Sequence, residues 1–222
     1  MTSRSNKSKG LGVGTRSVSR PAIKELARLI RTEHSFYGKD WTQPGFRAIV
    51  IYRFGVWALS SPRQRFGERF VAKVLDRIYL TAHRYVRNHY GIELPRRTRV
   101  GQALMLAHQG GIVIHPNAVI GDRCLIHQNV TIGNAGRGVP RDQGTVIGND
   151  VELGVGAVVL GRVKVGDGAR IGANVVVYID VPPDATLVAN SPRILVAPNT
   201  RAAAQARKAA ARAARAEKVG GR

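Results

Sequence analysis

Residues 114–133 read IHPNAVIGDRCLIHQNVTIG, and residues 147–177 read IGNDVELGVGAVVLGRVKVGDGARIGANVVV. In these stretches an aliphatic residue returns at every sixth position: Ile114, Ile120, Ile126 and Ile132, then Ile147, Leu153, Val159, Val165, Ile171 and Val177. A small or β-branched residue follows most of these beats four positions later, as at Ala118, Cys124, Val130, Ala157 and Ala169. One large and one small inward position per hexad suit a triangular solenoid, in which each short strand points an aliphatic side chain into a narrow core before the chain turns a corner. An amphipathic helix would need apolar spacings of three and four, and its interior disfavours this much Gly.

Working outward, Val100 and Leu106 keep the six-residue step but are out of phase with Ile114, which predicts an irregularity near Gly110-Gly111. Between Ile132 and Ile147 the step is fifteen, readable as two hexads plus three residues, so 134–145 (NAGRGVPRDQGT) reads as a loop thrown out of the solenoid. Loops on a rigid scaffold concentrate binding residues, which nominates Arg137, Arg141, Asp142 and Gln143. Upstream, 21–90 reads as helical: Ile23, Leu26, Ala27 and Ile30 follow Pro21 at helical spacing, and 46–60 and 66–90 form two further helices. The last has Phe70, Val74, Ile78 and Tyr85 as its apolar set, interleaved with Arg69, Lys73, Arg77, Arg84 and Arg87, and the region is expected to pack on something.

The whole chain has 222 residues and a net charge of +21, which alone points to nucleic acid or an anionic membrane. The charge is uneven: +5 in 1–20, +10 in 21–99, zero in 100–196 and +6 in 197–222. The expected organisation is a disordered basic tail (1–20), an α-helical N-terminal region (21–90), a β-helix (91–196) and a basic Ala/Arg-rich tail (197–222). Because the repeats are neutral, no nucleic-acid partner is expected, and the basic helices allow at most a weak membrane-surface association. A single Cys excludes an internal disulfide framework, and no apolar run reaches the roughly 20 residues that span a bilayer. The N-terminal MTSRSNKSKG lacks a hydrophobic signal core, so a cytoplasmic protein is expected.

The hexads, together with IELPRRTRVGQALMLAHQGG at 92–111 and DVPPDATLVANSPRILV at 180–196, resemble the hexapeptide-repeat acyltransferases, specifically their serine acetyltransferase branch. PGFRAIVIYRFGVWAL at 44–59 is similar to the N-terminal region of the shorter members. The resemblance implies a left-handed parallel β-helix with three hexads per coil, acetyl-CoA as acyl donor, and a homotrimer or hexamer with active sites between neighbouring subunits. The implied reaction is O-acetyl transfer to L-serine in cysteine biosynthesis, with a sugar or polysaccharide precursor as the alternative acceptor. A non-catalytic basic scaffold or nucleic-acid-binding protein is the rival from a different class.

Moving an acetyl group from a thioester to an alcohol needs a base for the hydroxyl proton, and imidazole titrates nearest to neutrality. By resemblance His108 occupies the place of the family's base, and Glu93, fifteen residues upstream, that of the carboxylate orienting it, with Glu in place of the more usual Asp. His34, His83 and His89 read as helix-packing or solvated; His115 and His127 follow inward beats and should face outward, with His127 able to line the acceptor pocket. Cys124 sits on a small inward beat and reads as core rather than nucleophile. By resemblance acetyl-CoA is held around Asn134, Val155 and Ala173, with Arg193 near its adenine end, and no metal is expected. Two departures bear on the acceptor: Ala107 stands where the serine enzymes have an acid, and the extruded loop lacks their second active-site His.

Overall fold

A strand of two or three residues alternates with a corner from Ile92 to Leu187, and successive strands go to three different sheets in turn. The computed structural model describes residues 23–62, 65–134 and 144–190, together with 205, 208 and 209. The tails expected at 1–20 and 197–222 thus lie almost wholly outside the described residues. The helices are α1 (Ile23–Phe36), α2 (Pro44–Leu59) and α3 (Phe66–Tyr90). The strands are β1 (Ile92–Glu93), β2 (Arg99–Val100), β3 (Met105–Leu106), β4 (Ile112–Ile114), β5 (Val119–Ile120), β6 (Leu125–Ile126) and β7 (Thr131–Gly133). From residue 144 onward come β8 (Val146–Ile147), β9 (Glu152–Leu153), β10 (Val158–Leu160), β11 (Lys164–Val165), β12 (Arg170–Ile171), β13 (Val176–Val177) and β14 (Thr186–Leu187). All of these belong to one unit that ends at Ala189; the chain from Asn190 onward forms a second.

The sheets run β1-β4-β7-β10-β13, β2-β5-β8-β11 and β3-β6-β9-β12-β14, parallel throughout, which makes a left-handed parallel β-helix of three strands per coil. All ten six-residue beats are buried, and so are the small positions from Ala118 to Val181. Cys124 is 2% exposed and lies in this core as expected, its thiol pushed up to about 11 chiefly by burial.

Register meets one sequence expectation and corrects another. The irregularity expected near Gly110-Gly111 is there: Leu106 and Ile114 are eight residues apart, and Ile112 and Ile114 of β4 both point inward while Val113 faces out. Ile92 pairs with Ile112, so the first coil takes 20 residues where a regular one takes 18 (Val113 to Thr131), and the two extra residues fall at the corner between Leu106 and Ile112. Thr131, however, pairs with Val158, 27 residues on. The interruption is therefore one hexad step with nine inserted residues, not two hexads plus three.

The corner after each middle-sheet strand explains the recurring Gly-Asp and Gly-Asn pairs. Asp122 Oδ1 accepts the Gln102 N–H, Asn149 Oδ1 accepts that of Asp122, and Asp167 Oδ1 accepts that of Asn149, so each side chain caps the coil before it. The preceding Gly121 must lack a side chain because a Cβ there would collide with the Gly148 carbonyl of the next coil.

A solenoid exposes unpaired backbone at its first coil, and the helices cover that edge. Tyr37 Oη accepts the Leu106 N–H at 2.6 Å, and Tyr52 Oη donates to the Thr98 carbonyl at 2.7 Å. Arg53 donates to the carbonyls of Val100 and Gly101 while paired at 2.5 Å with Glu33, which is 1% exposed. Gly45 of α2 lies against the Leu106 backbone, and Gly55 leaves room for the Tyr79 ring. The third helix departs from its sequence reading: Ala72, Tyr79 and Val86 form its packed face, while Phe70, Val74, Ile78 and Tyr85 all point outward.

Candidate active site

Tyr37 and Gly45 pin β3 to the helical cap, and β3 leads directly into His108. Leu106 pairs with Ile126, Ile126 with Leu153, and Leu153 with Ile171. Two positions further along, Gln128, Val155 and Ala173 stack in one row along a corner of the β-helix, and His108 stands at its first-coil end on the two-residue bulge, where Gly110 takes Gln128's place by accepting the Asn129 N–H. At about 4.8 Å per coil the step from Gln128 to Ala173 is roughly 10 Å long.

His108 heads this row, exposed, with neither ring nitrogen engaged in a hydrogen bond among the described residues. An imidazole whose nitrogens are both free can accept a proton from an incoming group. Its nearest aromatic neighbour is His127, ring centroids 6.2 Å apart, and His127 Nε2 lies 3.7 Å from Glu152 Oε1. At 3.7 Å this is an electrostatic contact that strengthens when the imidazole is protonated, not a hydrogen bond. Below them Gln128 Oε1 is shielded from solvent and has no hydrogen-bond partner. The backbone N–H groups of Val155 and Ala173 have no backbone acceptor among the described residues, since those corners bond instead through Gly156 and Asn174. The row thus offers a free imidazole at one end, an orphan acceptor in the middle, and two outward N–H donors at the other. An extended ligand carrying amides and a reactive carbonyl fits such a series.

Other expected site residues are placed differently. Glu93 is half-buried on β1, one coil beneath β4, and no hydrogen bond joins it to His108. It acts instead on His83 of α3, whose pKa is lowered chiefly by burial, with Glu93 opposing the shift and Arg87 adding to it. Asn134 follows β7 in a different sheet and so stands at another corner from Val155 and Ala173. Ala107 is half-buried and brings no charge to His108. Arg137, Arg141, Asp142, Gln143 and Arg193 lie outside the described residues. His83 and His89 stack on Tyr79 and Tyr85, and His34 lies tilted against Trp41. Among the described residues no cluster of three His, Cys, Asp or Glu side chains could hold a metal.

Glu152 was missed in the sequence although its signal is there. Three beats make one coil, so Ile126 and Leu153 are neighbours across the ladder, which sets the residue after one diagonal to the residue before the other.

The pattern described as bacterial transferase hexapeptide (six repeats) matches residues 144–178. The serine acetyltransferase of Synechococcus elongatus is 36% identical over 152 residues, 68% of this chain and 57% of the relative. That of Helicobacter pylori strain J99 is 37% identical over 145 residues, 65% of this chain and 77% of the relative. The chain thus spans little more than half of the first relative and most of the second. Among solved structures, the Neisseria gonorrhoeae serine acetyltransferase superposes with a TM-score of 0.61 at 26% identity, covering 80% of this chain and 70% of that one. A Brucella abortus serine acetyltransferase in complex with coenzyme A gives a TM-score of 0.63 at 24% identity, covering 78% and 69%.

Proposed function

The chain belongs to the serine acetyltransferase family, and from that premise we propose that it is an acetyl-CoA-dependent O-acetyltransferase with His108 as general base and L-serine as acceptor. The observation that carries this reading is the row headed by His108, whose free imidazole stands at the end of a ridge of unsatisfied polar groups. Acetyl-CoA lies along that row with its pantetheine beside Gln128, Val155 and Ala173 and its thioester at His108. Asn134 sits at another corner of the same protomer, and Val155 and Ala173 face out, which favours a groove between two copies in a homotrimer. Arg193 pairs with a phosphate of the nucleotide end. The protein acts in the cytoplasm.

In the reaction His108 takes the acceptor's hydroxyl proton as the oxygen attacks the thioester carbonyl. The tetrahedral oxyanion then collapses, the C–S bond breaks, and CoA leaves as the thiolate, which is protonated by the imidazolium formed in the first step. Glu93 orients His108 once substrate is bound, since hydrogen bonds in catalytic sites often form only in the loaded complex. His127, its ring 6.2 Å from that of His108, lines the acceptor side of the site.

A second acceptor class is favoured by one observation: Ala107 offers no carboxylate for serine's ammonium group, so a neutral sugar hydroxyl suits the pocket as well. An acceptor screen that follows CoA thiol release, with serine beside hexoses and hexosamines, decides between them. Turnover with serine well above every sugar supports the first reading; turnover with a sugar alone replaces it. No transfer to any acceptor removes the acetyltransferase reading.

A further inference from the structure

We propose that the outward face of α3 docks this protein on an anionic lipid surface. Phe66, Phe70, Val74, Ile78 and Tyr85 are all exposed, Phe66 at 89% and Phe70 at 65%. At roughly 100° per residue they fall within an arc of about 120°, opposite the packed Ala72, Tyr79 and Val86. From Phe66 to Tyr85 the row is roughly 28 Å long on a convex helix surface, the geometry of a helix lying in a lipid–water interface rather than of a cleft for a peptide.

Charge determines the occupant. Lys73, Arg77 and Arg84 project along one border of the apolar row and make no ion pair among the described residues. Both acidic residues of α3 are drawn away from this face: Asp76 is paired at 2.6 Å with Arg96, and Glu68 caps the Arg65 N–H. An apolar row beside unopposed cations complements acyl chains beneath anionic headgroups. A second copy of the same face would set these cations against their equals. In the sequence, 1–20 and 197–222 add eleven net positive charges that favour the same surface.

The test is co-sedimentation of the full chain with vesicles of phosphatidylcholine alone and of phosphatidylcholine mixed with phosphatidylglycerol. Binding is expected only to the mixed vesicles, falling as salt is raised, and weakened about tenfold or more in Phe66→Asp/Phe70→Asp. Lys73→Glu/Arg77→Glu leaves the apolar row intact and is expected to weaken binding as well, which keeps the test open should the double Asp variant fail to fold. Equal binding to both vesicle types overturns the proposal. So does binding that both variants retain, which would assign it to the tails. Absence of vesicle binding, with self-association lost in Phe66→Asp/Phe70→Asp by sedimentation equilibrium, would make this face an interface between copies instead.

Discussion

Replacing Arg53 with Ala removes one residue that does three things at the edge of the β-helix. Its guanidinium neutralises Glu33, which is buried at 1% exposure, and donates to two carbonyls of the first coil. Deleting one partner of a buried ion pair costs about 3–5 kcal/mol because the other charge stays desolvated. Each carbonyl that loses its donor adds about 1 kcal/mol unless water reaches it. The expected loss for Arg53→Ala at neutral pH is therefore about 3–7 kcal/mol, its lower part applying where water reaches both carbonyls, and a large part of the stability of an ordinary domain. Glu33→Gln keeps an acceptor for Arg53 while removing the buried negative charge, so its expected loss is smaller, about 1–2 kcal/mol. The pH dependence provides a second signature. Burial holds the Glu33 carboxyl above its ordinary pKa, with Arg53 opposing the shift, so the native state keeps that proton to higher pH than the unfolded chain. Without Arg53 the gap widens. The Arg53→Ala penalty should thus be small below the unfolded carboxyl pKa of about 4.3, where Glu33 is neutral in both states, and grow as pH rises through the folded value. Urea unfolding of wild type and both variants at one fixed protein concentration, at acid and neutral pH, measures this. An Arg53→Ala loss below about 1 kcal/mol at neutral pH, or one larger in acid, would refute the reasoning.

Three further outcomes are expected. Ile126→Ala opens a cavity in the fully buried beat row and should lower stability by about 2–5 kcal/mol in urea, against less than about 1.5 kcal/mol for Ile126→Leu. Cys124 should stay unlabelled by a thiol reagent near pH 8 in the folded protein and react fully after unfolding, because burial both shields the thiol and pushes it up to about 11. In steady-state assays Glu93→Gln should lower kcat by about tenfold or more with little change in the KM for acetyl-CoA; an unchanged kcat would leave His108 unoriented by Glu93.

Hexad spacing made the β-helix legible because burial of one large and one small side chain per strand is a local requirement, and every beat from Ile114 to Val177 meets it. Breaks in the beat were harder to read. Spacing counts residues without saying how many coils they fill, so the step from Ile132 to Ile147 fitted two decompositions until Thr131 was seen to pair with Val158. On α3 the sequence shows two apolar faces, and helical periodicity cannot say which one finds a partner. Tyr79 was chosen by Gly55 across the helix pair, a contact between residues far apart in sequence. His108 was legible by resemblance and by its place at a corner. Its neighbours were less so, because Glu152 reaches His127 across the ladder and Glu93 faces a helix whose packing no local pattern fixes.

The central claim is that His108 removes the acceptor proton. Its most direct test is the rate of CoA thiol release from acetyl-CoA with serine by wild type and His108→Ala, with tryptophan fluorescence verifying that both are folded. The account predicts turnover by wild type and a loss of about 100-fold or more in kcat for the variant, the range general-base removal produces. A folded His108→Ala enzyme that keeps wild-type turnover would contradict it.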